Sequence, residues 1–129
     1  MSHLTWVEVD LAAIQNNLRR MKALTRTRVM AVVKANAYGH GAVEVARAAA
    51  SAGADWLGIA RAPEGLALRA AGLALPILVL GYTPPDLAAE AIGADLTLTV
   101  FDPEAARATP NQSAPAEAAA RATASAPCP

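Results

Sequence analysis

The sequence predicts an α/β protein built on a parallel sheet, and three observations carry that prediction. From Val29 onward, short apolar runs rich in β-branched residues alternate with alanine-rich segments of helix length. Glycines close the helical segments at Gly53, Gly72 and Gly93, about every 20 residues, a compact strand-plus-helix period. The strand runs are apolar at most positions rather than alternating, as in parallel sheets covered on their faces by crossover helices. Two architectures fit this pattern: an open doubly wound sheet, or part of a (β/α)8 barrel, either with right-handed crossovers. No Gly-x-Gly-x-x-Gly follows the first strand, which removes the main support for a dinucleotide-binding sheet.

Taken in order, Thr5 to Val9 reads as a short strand and Asp10 as the N-cap of the helix after it. In that helix Leu11, Ile14, Leu18 and Met21 share one face. Arg19, Arg20 and Lys22 fall late in it, where cations complement the macrodipole, and the segment reads as a packing helix. Val29–Lys34 is expected as a strand, Ala42–Ala52 as a helix, Trp56–Ala60 as the next strand and Pro63–Ala71 as the next helix. Pro76–Gly81 follows as a strand, Asp86–Ile92 as a helix and Leu96–Phe101 as a fourth strand of the repeat. Pro63 and Pro85 sit near helix starts, where a missing N–H is tolerated. From Arg107 to Pro129 there is no Val, Ile, Leu, Met, Phe, Tyr or Trp, so little apolar surface is on hand to offset the entropy of ordering. The chain is therefore expected to divide into an α/β unit over 1–106 and an Ala/Pro-rich disordered tail over 107–129.

Composition narrows the partners. With 129 residues, 54% of them hydrophobic, the chain can bury one small core. Its 11 basic and 11 acidic residues balance, which argues against a nucleic-acid binder with its basic footprint. Two histidines and one cysteine, Cys128, exclude a disulfide framework and disfavour a closed zinc site. No cationic-then-apolar export signal opens the chain. The longest apolar stretch, Leu73 to Tyr82, contains a proline and falls short of the ~20 residues a membrane helix needs. A cytoplasmic protein with no membrane partner is expected.

Chemistry concentrates where the first apolar run of the repeat ends, in Val32-Val33-Lys34-Ala35-Asn36-Ala37-Tyr38-Gly39-His40-Gly41. An ammonium at the edge of an apolar core is costly to desolvate, so it is paired, turned to solvent or kept neutral, and only a neutral amine attacks a carbonyl. By position alone, a lysine at a strand end is more often a solvated charge, and Tyr38 a rim residue. Gly39-His40-Gly41 precedes a helix and offers backbone N–H groups to an anion, while His40 equally reads as a helix-entry residue bonded to backbone. Val32 and Leu80 read as pocket lining or, more simply, as plain core. Glu44, Arg47, Glu64, Arg69 and Glu90 read as solvated helix faces.

The ten-residue stretch resembles, without a gap, the pyridoxal-phosphate lysine motif of the alanine racemase family. The resemblance runs from about Trp6 to about Ala106 and includes Trp6-Val7-Glu8-Val9-Asp10 and Pro76-Ile77-Leu78-Val79-Leu80-Gly81. Related barrels such as the basic amino-acid decarboxylases share a shorter lysine signature without the Tyr-Gly-His-Gly continuation. The resemblance implies the barrel rather than the open sheet. A complete barrel takes eight strands and about 250 residues, so this chain reads as its N-terminal part followed by unrelated sequence.

The resemblance also implies a pyridoxal-phosphate-dependent isomerase that interconverts L-alanine and D-alanine, the latter a precursor of cell-wall peptidoglycan. Another amino-acid racemase of the same fold is the alternative. It implies that Lys34 is both the catalytic residue and the cofactor's covalent anchor, and that Tyr38 contacts the cofactor phosphate. In the family a second base, a tyrosine, comes from a C-terminal β domain of the partner subunit in a homodimer, and this sequence contains no such domain. The isolated chain is accordingly expected to have little or no racemase activity and at most to bind pyridoxal phosphate.

Overall fold

A computed structural model describes residues 5–108. Of the tail expected over 107–129, everything after residue 108 lies outside the described residues. The first helix, α1 (Leu11–Thr25), starts where the sequence places it, with Oδ1 of Asp10 accepting the Ala13 amide at 3.0 Å. That bond satisfies one of the amides every helix start leaves open. Leu11, Ile14 and Leu18 are half-buried along its inward side, but Met21 is 55% exposed, contrary to its expected place there. Lys22 occupies that side instead, with its Nζ on the Gly53 carbonyl and 3.0 Å from Oδ2 of Asp55. Thr5–Val9 is not the strand expected: it carries no strand pairing among the described residues, and Trp6 and Val7 are exposed. A strand exists only where a neighbour takes up its N–H and C=O groups, and the described residues offer this segment none.

Four strands follow: β1 (Met30–Val32), β2 (Trp56–Ile59), β3 (Ile77–Val79) and β4 (Leu96–Leu98). They are connected by α2 (Lys34–Tyr38), a single left-handed turn, and by the helices α3 (Ala42–Ser51), α4 (Ala62–Ala70) and α5 (Pro85–Gly93). A short α6 (Pro103–Ala108) comes last. Strands and helices alternate as the apolar period predicts; β2 and β4 start where expected, β1 and β3 one residue later, and all four end one to three residues early. They pair in chain order, β1-β2-β3-β4, and every pair is parallel. That order separates the two candidate architectures. A doubly wound sheet reverses its strand order at a switch point, whereas this sheet advances in one direction, as a barrel does. The fold is an α/β partial (β/α)8 barrel.

Register explains the core. Ala31, Leu57, Ile77 and Leu96 form one row across the sheet, and Ile59 and Val79 continue it on the same side two residues on. Leu57, Ile59, Ile77 and Val79 are completely buried there against Val45 and Ala46 of α3, Leu68 of α4 and Ala91 of α5. The alternate row, Val32, Gly58, Leu78 and Thr97, faces the other way. Sequence alone suggested a sheet covered on both faces, with Val32 and Leu80 as pocket lining or, more simply, as plain core. Both are instead 39% exposed, because strand alternation turns them to the face a closed barrel encloses, and no helix among the described residues covers it.

The ends of the strands opposite the lysine motif are tied by side chains. Arg69, half-buried rather than the solvated charge expected, spreads its guanidinium over the carbonyls of Leu73, Leu75, Ala94 and Asp95 at 2.6–3.0 Å. This stitches together the loops that feed β3 and β4. Asp55 accepts the Val29 amide at 2.8 Å and Lys22, joining the starts of β1 and β2 to α1. The Val29 amide and then Lys22 hold its carboxyl below the ordinary range. Gly53 and Gly72 end α3 and α4 with φ of 93° and 83°, as expected, but Gly93 is the last residue of α5 and Asp95 (φ 54°) takes the left-handed position.

Gly81 makes the tightest backbone approach. Its amide donates to the Ala60 carbonyl at 3.0 Å, and a Cβ there would lie 2.6 Å from that same oxygen. Gly81→Ala is therefore expected to push the ends of β2 and β3 apart and lower the unfolding free energy by about 1–3 kcal/mol in urea titrations. An unchanged midpoint would show that the loop yields without cost.

Candidate active site

Lys34 stands at the C-terminal end of β1, the end of a barrel at which active sites are built. The residue before it is buried and keeps the sheet pairing, the Val33 amide donating to the Gly58 carbonyl at 2.8 Å. Lys34 itself is half-buried. Its Nζ lies 6.0 Å from the centroid of the Tyr38 ring and makes no hydrogen bond or ion pair among the described residues. The chain's other lysine, Lys22, is tied to Gly53 and Asp55. Tyr38 is exposed, with its phenol open to whatever approaches the amine.

The turn that joins them is strained. Ala35, Asn36, Ala37 and Tyr38 have φ of 50°, 55°, 52° and 56°, four consecutive left-handed residues with no glycine among them. Such a conformation costs roughly 1–2 kcal/mol per residue, somewhat less at Asn. Hydrogen bonds on every side hold it. The Ala37 amide donates to the Val33 carbonyl at 2.9 Å, Gly39 to Ala35 at 3.2 Å and Gly41 to Asn36 at 3.0 Å. The Asn36 side chain accepts the Ala42 amide at 2.9 Å, tying the turn to the start of α3. Strain that the surroundings over-determine in this way is characteristic of ligand sites.

These bonds overturn one expectation. The amides of Gly39, His40, Gly41 and Ala42 are all used within the turn, so the Gly-His-Gly segment has no spare N–H groups with which to hold an anion. His40 is the backbone-bonded residue instead. Its Nδ1 lies 3.0 Å from the Ala37 carbonyl and 3.2 Å from that of Tyr38, and since carbonyls only accept, Nδ1 is the protonated nitrogen and donates.

Glu64 was expected on a solvated helix face, and the structure moves it into the site. It is the third residue of α4, half-buried, and its carboxylate gathers three amides. Oε2 accepts Ala60 at 2.7 Å and Arg61 at 3.1 Å, and Oε1 accepts Ala35, the residue after Lys34, at 2.9 Å. Burial pushes the carboxyl up, but the amides of Ala35, Arg61 and Ala60, with the Arg61 charge behind them, outweigh it and hold it below its ordinary range. A depressed carboxyl contributes stability above its unfolded pKa and loses it as pH falls through the folded value. Sequence offered one overlooked signal, an acid at the third position of a helix reaching back to the cap.

The matched family is decisive. The profile described as "Alanine racemase, N-terminal domain" matches residues 9–123, a span that contains Lys34, Tyr38 and Glu64. The chain belongs to this alanine racemase family. It is similar to the alanine racemase of Symbiobacterium thermophilum, at 52% identity over 105 residues, and to that of Methanococcus maripaludis, at 48% over 108. Those alignments cover 81% and 82% of this chain but only 28% and 29% of the relatives, so the chain spans under a third of an alanine racemase's length. Among solved structures it resembles the Bacillus anthracis alanine racemase with bound L-Ala-P, with a TM-score of 0.78 and 47% identity over 83% of this chain. It also resembles the Clostridium difficile 630 alanine racemase, with a TM-score of 0.80 and 40% identity over 84%. These likenesses agree with the barrel derived from the strand order.

Proposed function

We propose that this chain carries the cofactor lysine of an alanine racemase, with Lys34 binding pyridoxal phosphate covalently and Tyr38 donating to its phosphate. The observation that carries this reading is the Lys34 amine, unpaired among the described residues at the C-terminal end of β1 beside an exposed phenol. The donor set fits the group, since a primary amine condenses with an aldehyde and a neutral phenol O–H suits a phosphate oxygen. When bound, the cofactor supplies an electron sink for the carbanion left when an amino acid loses its α-proton. Lys34 Nζ holds the cofactor and, when free, moves a proton at that nitrogen. Tyr38 Oη orients the phosphate, and the strained turn keeps amine and phenol on one surface. In the whole protein the reaction is the interconversion of L- and D-alanine, an isomerase step supplying D-alanine for peptidoglycan, within a cytoplasmic homodimer. Among the described residues no helix is long and apolar enough to cross a membrane.

Two measurements test the reading. Borohydride reduction with pyridoxal phosphate, followed by peptide mapping, is expected to place the pyridoxyl group on Lys34 at least about tenfold more than on Lys22, whose amine is engaged. Equal labelling of the two lysines would overturn it. The 129-residue chain assayed alone is expected to give no L-to-D alanine turnover above that of the free cofactor. Racemisation needs an acid/base group on each face of the α-carbon, and the phenol that stands 6.0 Å from the Lys34 amine, measured to its ring centroid, is the one assigned to the phosphate. Robust turnover by the purified chain would show that a second base is present.

A further inference from the structure

Three amides meet on one carboxylate at the same end of the sheet as Lys34, and they come from two strands. Ala60 and Arg61 follow β2, while Ala35 follows β1 and Lys34. The bond to Ala35 joins residues 29 apart in sequence, and among the described residues it is the only side-chain hydrogen bond to Ala35, the first residue with left-handed backbone in the turn. We infer that Glu64 is a positioning residue for Lys34: its carboxylate grips the peptide that follows the lysine and so fixes the turn that sets where amine and phenol stand. This rests on the cofactor reading above but goes beyond it, since among the described residues Glu64 makes no hydrogen bond or ion pair with the amine or the phenol.

A run of four left-handed residues relaxes to ordinary backbone unless something outside the turn opposes it. Within the turn, the Ala37 amide on the Val33 carbonyl and the burial of Ala37 in the core hold its middle. Asn36 anchors its far end to α3, and Glu64 anchors its near end to α4, on the peptide adjoining Lys34. The carboxylate is suited to this because an ionised group accepts several short bonds at once and offers no competing donor. An amide at position 64 can keep the bonds to Ala60 and Arg61 through its oxygen. Its NH2 would then face the Ala35 N–H, donor against donor, so the helix start survives while the grip on the turn is lost.

The test uses the full 129-residue chain and the Lys34-to-Lys22 pyridoxyl ratio as readout. Glu64→Gln is expected to lower that ratio about tenfold, the scale of one lost charge-assisted bond. Asp55→Asn, which loosens the opposite end of the sheet and Lys22, serves as the stability control and is expected not to lower Lys34 labelling. If Glu64→Gln keeps the parent ratio, the inference is overturned while the cofactor reading stands. If the parent chain itself shows no preference for Lys34, the cofactor reading fails first. If Glu64→Gln does not fold, amide exchange in the parent chain decides. Ala35 is expected to lose protection in acid, as Glu64 protonates, at a higher pH than the core amides of Leu57 and Ile59 do. Loss of all three together would overturn the inference.

Discussion

Lys34→Ala is expected to abolish the trapped pyridoxyl adduct at that position and to reduce total labelling to the low level of Lys22 and the chain's terminal amine. The expectation follows from having only two lysines with contrasting surroundings. The Lys22 amine sits on the Gly53 carbonyl and the Asp55 carboxylate, so to react it must break an ion pair and a hydrogen bond. Lys34 breaks neither, having only the Tyr38 ring at the outer limit of a cation–π contact. The substitution leaves the fold alone for the same reason, since no bond among the described residues depends on the amine. Labelling is read by peptide mapping and folding by circular dichroism. A Lys34→Ala chain that folds and takes up pyridoxal phosphate as the parent does would remove the chemical basis of the assignment.

The alternation of strands and helices was legible because each apolar run and each closing glycine is a local signal. Gly53 and Gly72 behave as predicted, while Gly93 misleads by two residues, because Asp95 also tolerates the left-handed position. Barrel and open sheet were indistinguishable from the residues alone, since both use the same local pattern and differ in strand order, which only tertiary pairing displays. Lys34 and Tyr38 were named as site residues through a resemblance, and the structure places the amine 6.0 Å from the ring, although four positions apart would not by itself bring them together. The left-handed turn was invisible. Ala, Asn, Ala and Tyr argue against it locally, and it is held from outside by Glu64, 29 residues further on. Glu64 in turn looked like a surface charge because Arg61, not Ser or Thr, stands at the helix cap, which hides the capping pattern. Met21 and Lys22 exchanged expected roles for a related reason: a lysine with a carbonyl and a carboxylate to reach competes successfully with a thioether for the inward side.

The second large effect separates the two faces of the sheet. Leu57→Ala is expected to lower the unfolding free energy by about 2–5 kcal/mol, the usual cost of emptying a fully buried leucine site. Leu57 stands in the central row between Ala31 and Ile77, with no solvent contact, and its neighbours are fixed by sheet pairing on both sides and cannot collapse into the space. For a domain with total stability of about 5–15 kcal/mol, that is enough to populate the unfolded state visibly. Leu80→Ala removes the same atoms from a position on the opposite face, already 39% exposed, and is expected to cost less than about 1 kcal/mol. Urea titrations of both variants at one protein concentration measure the difference. Equal losses would mean that the face bearing Val32 and Leu80 is covered in solution, and dependence of the Leu80→Ala midpoint on chain concentration would then distinguish a second copy from a covering within the same chain.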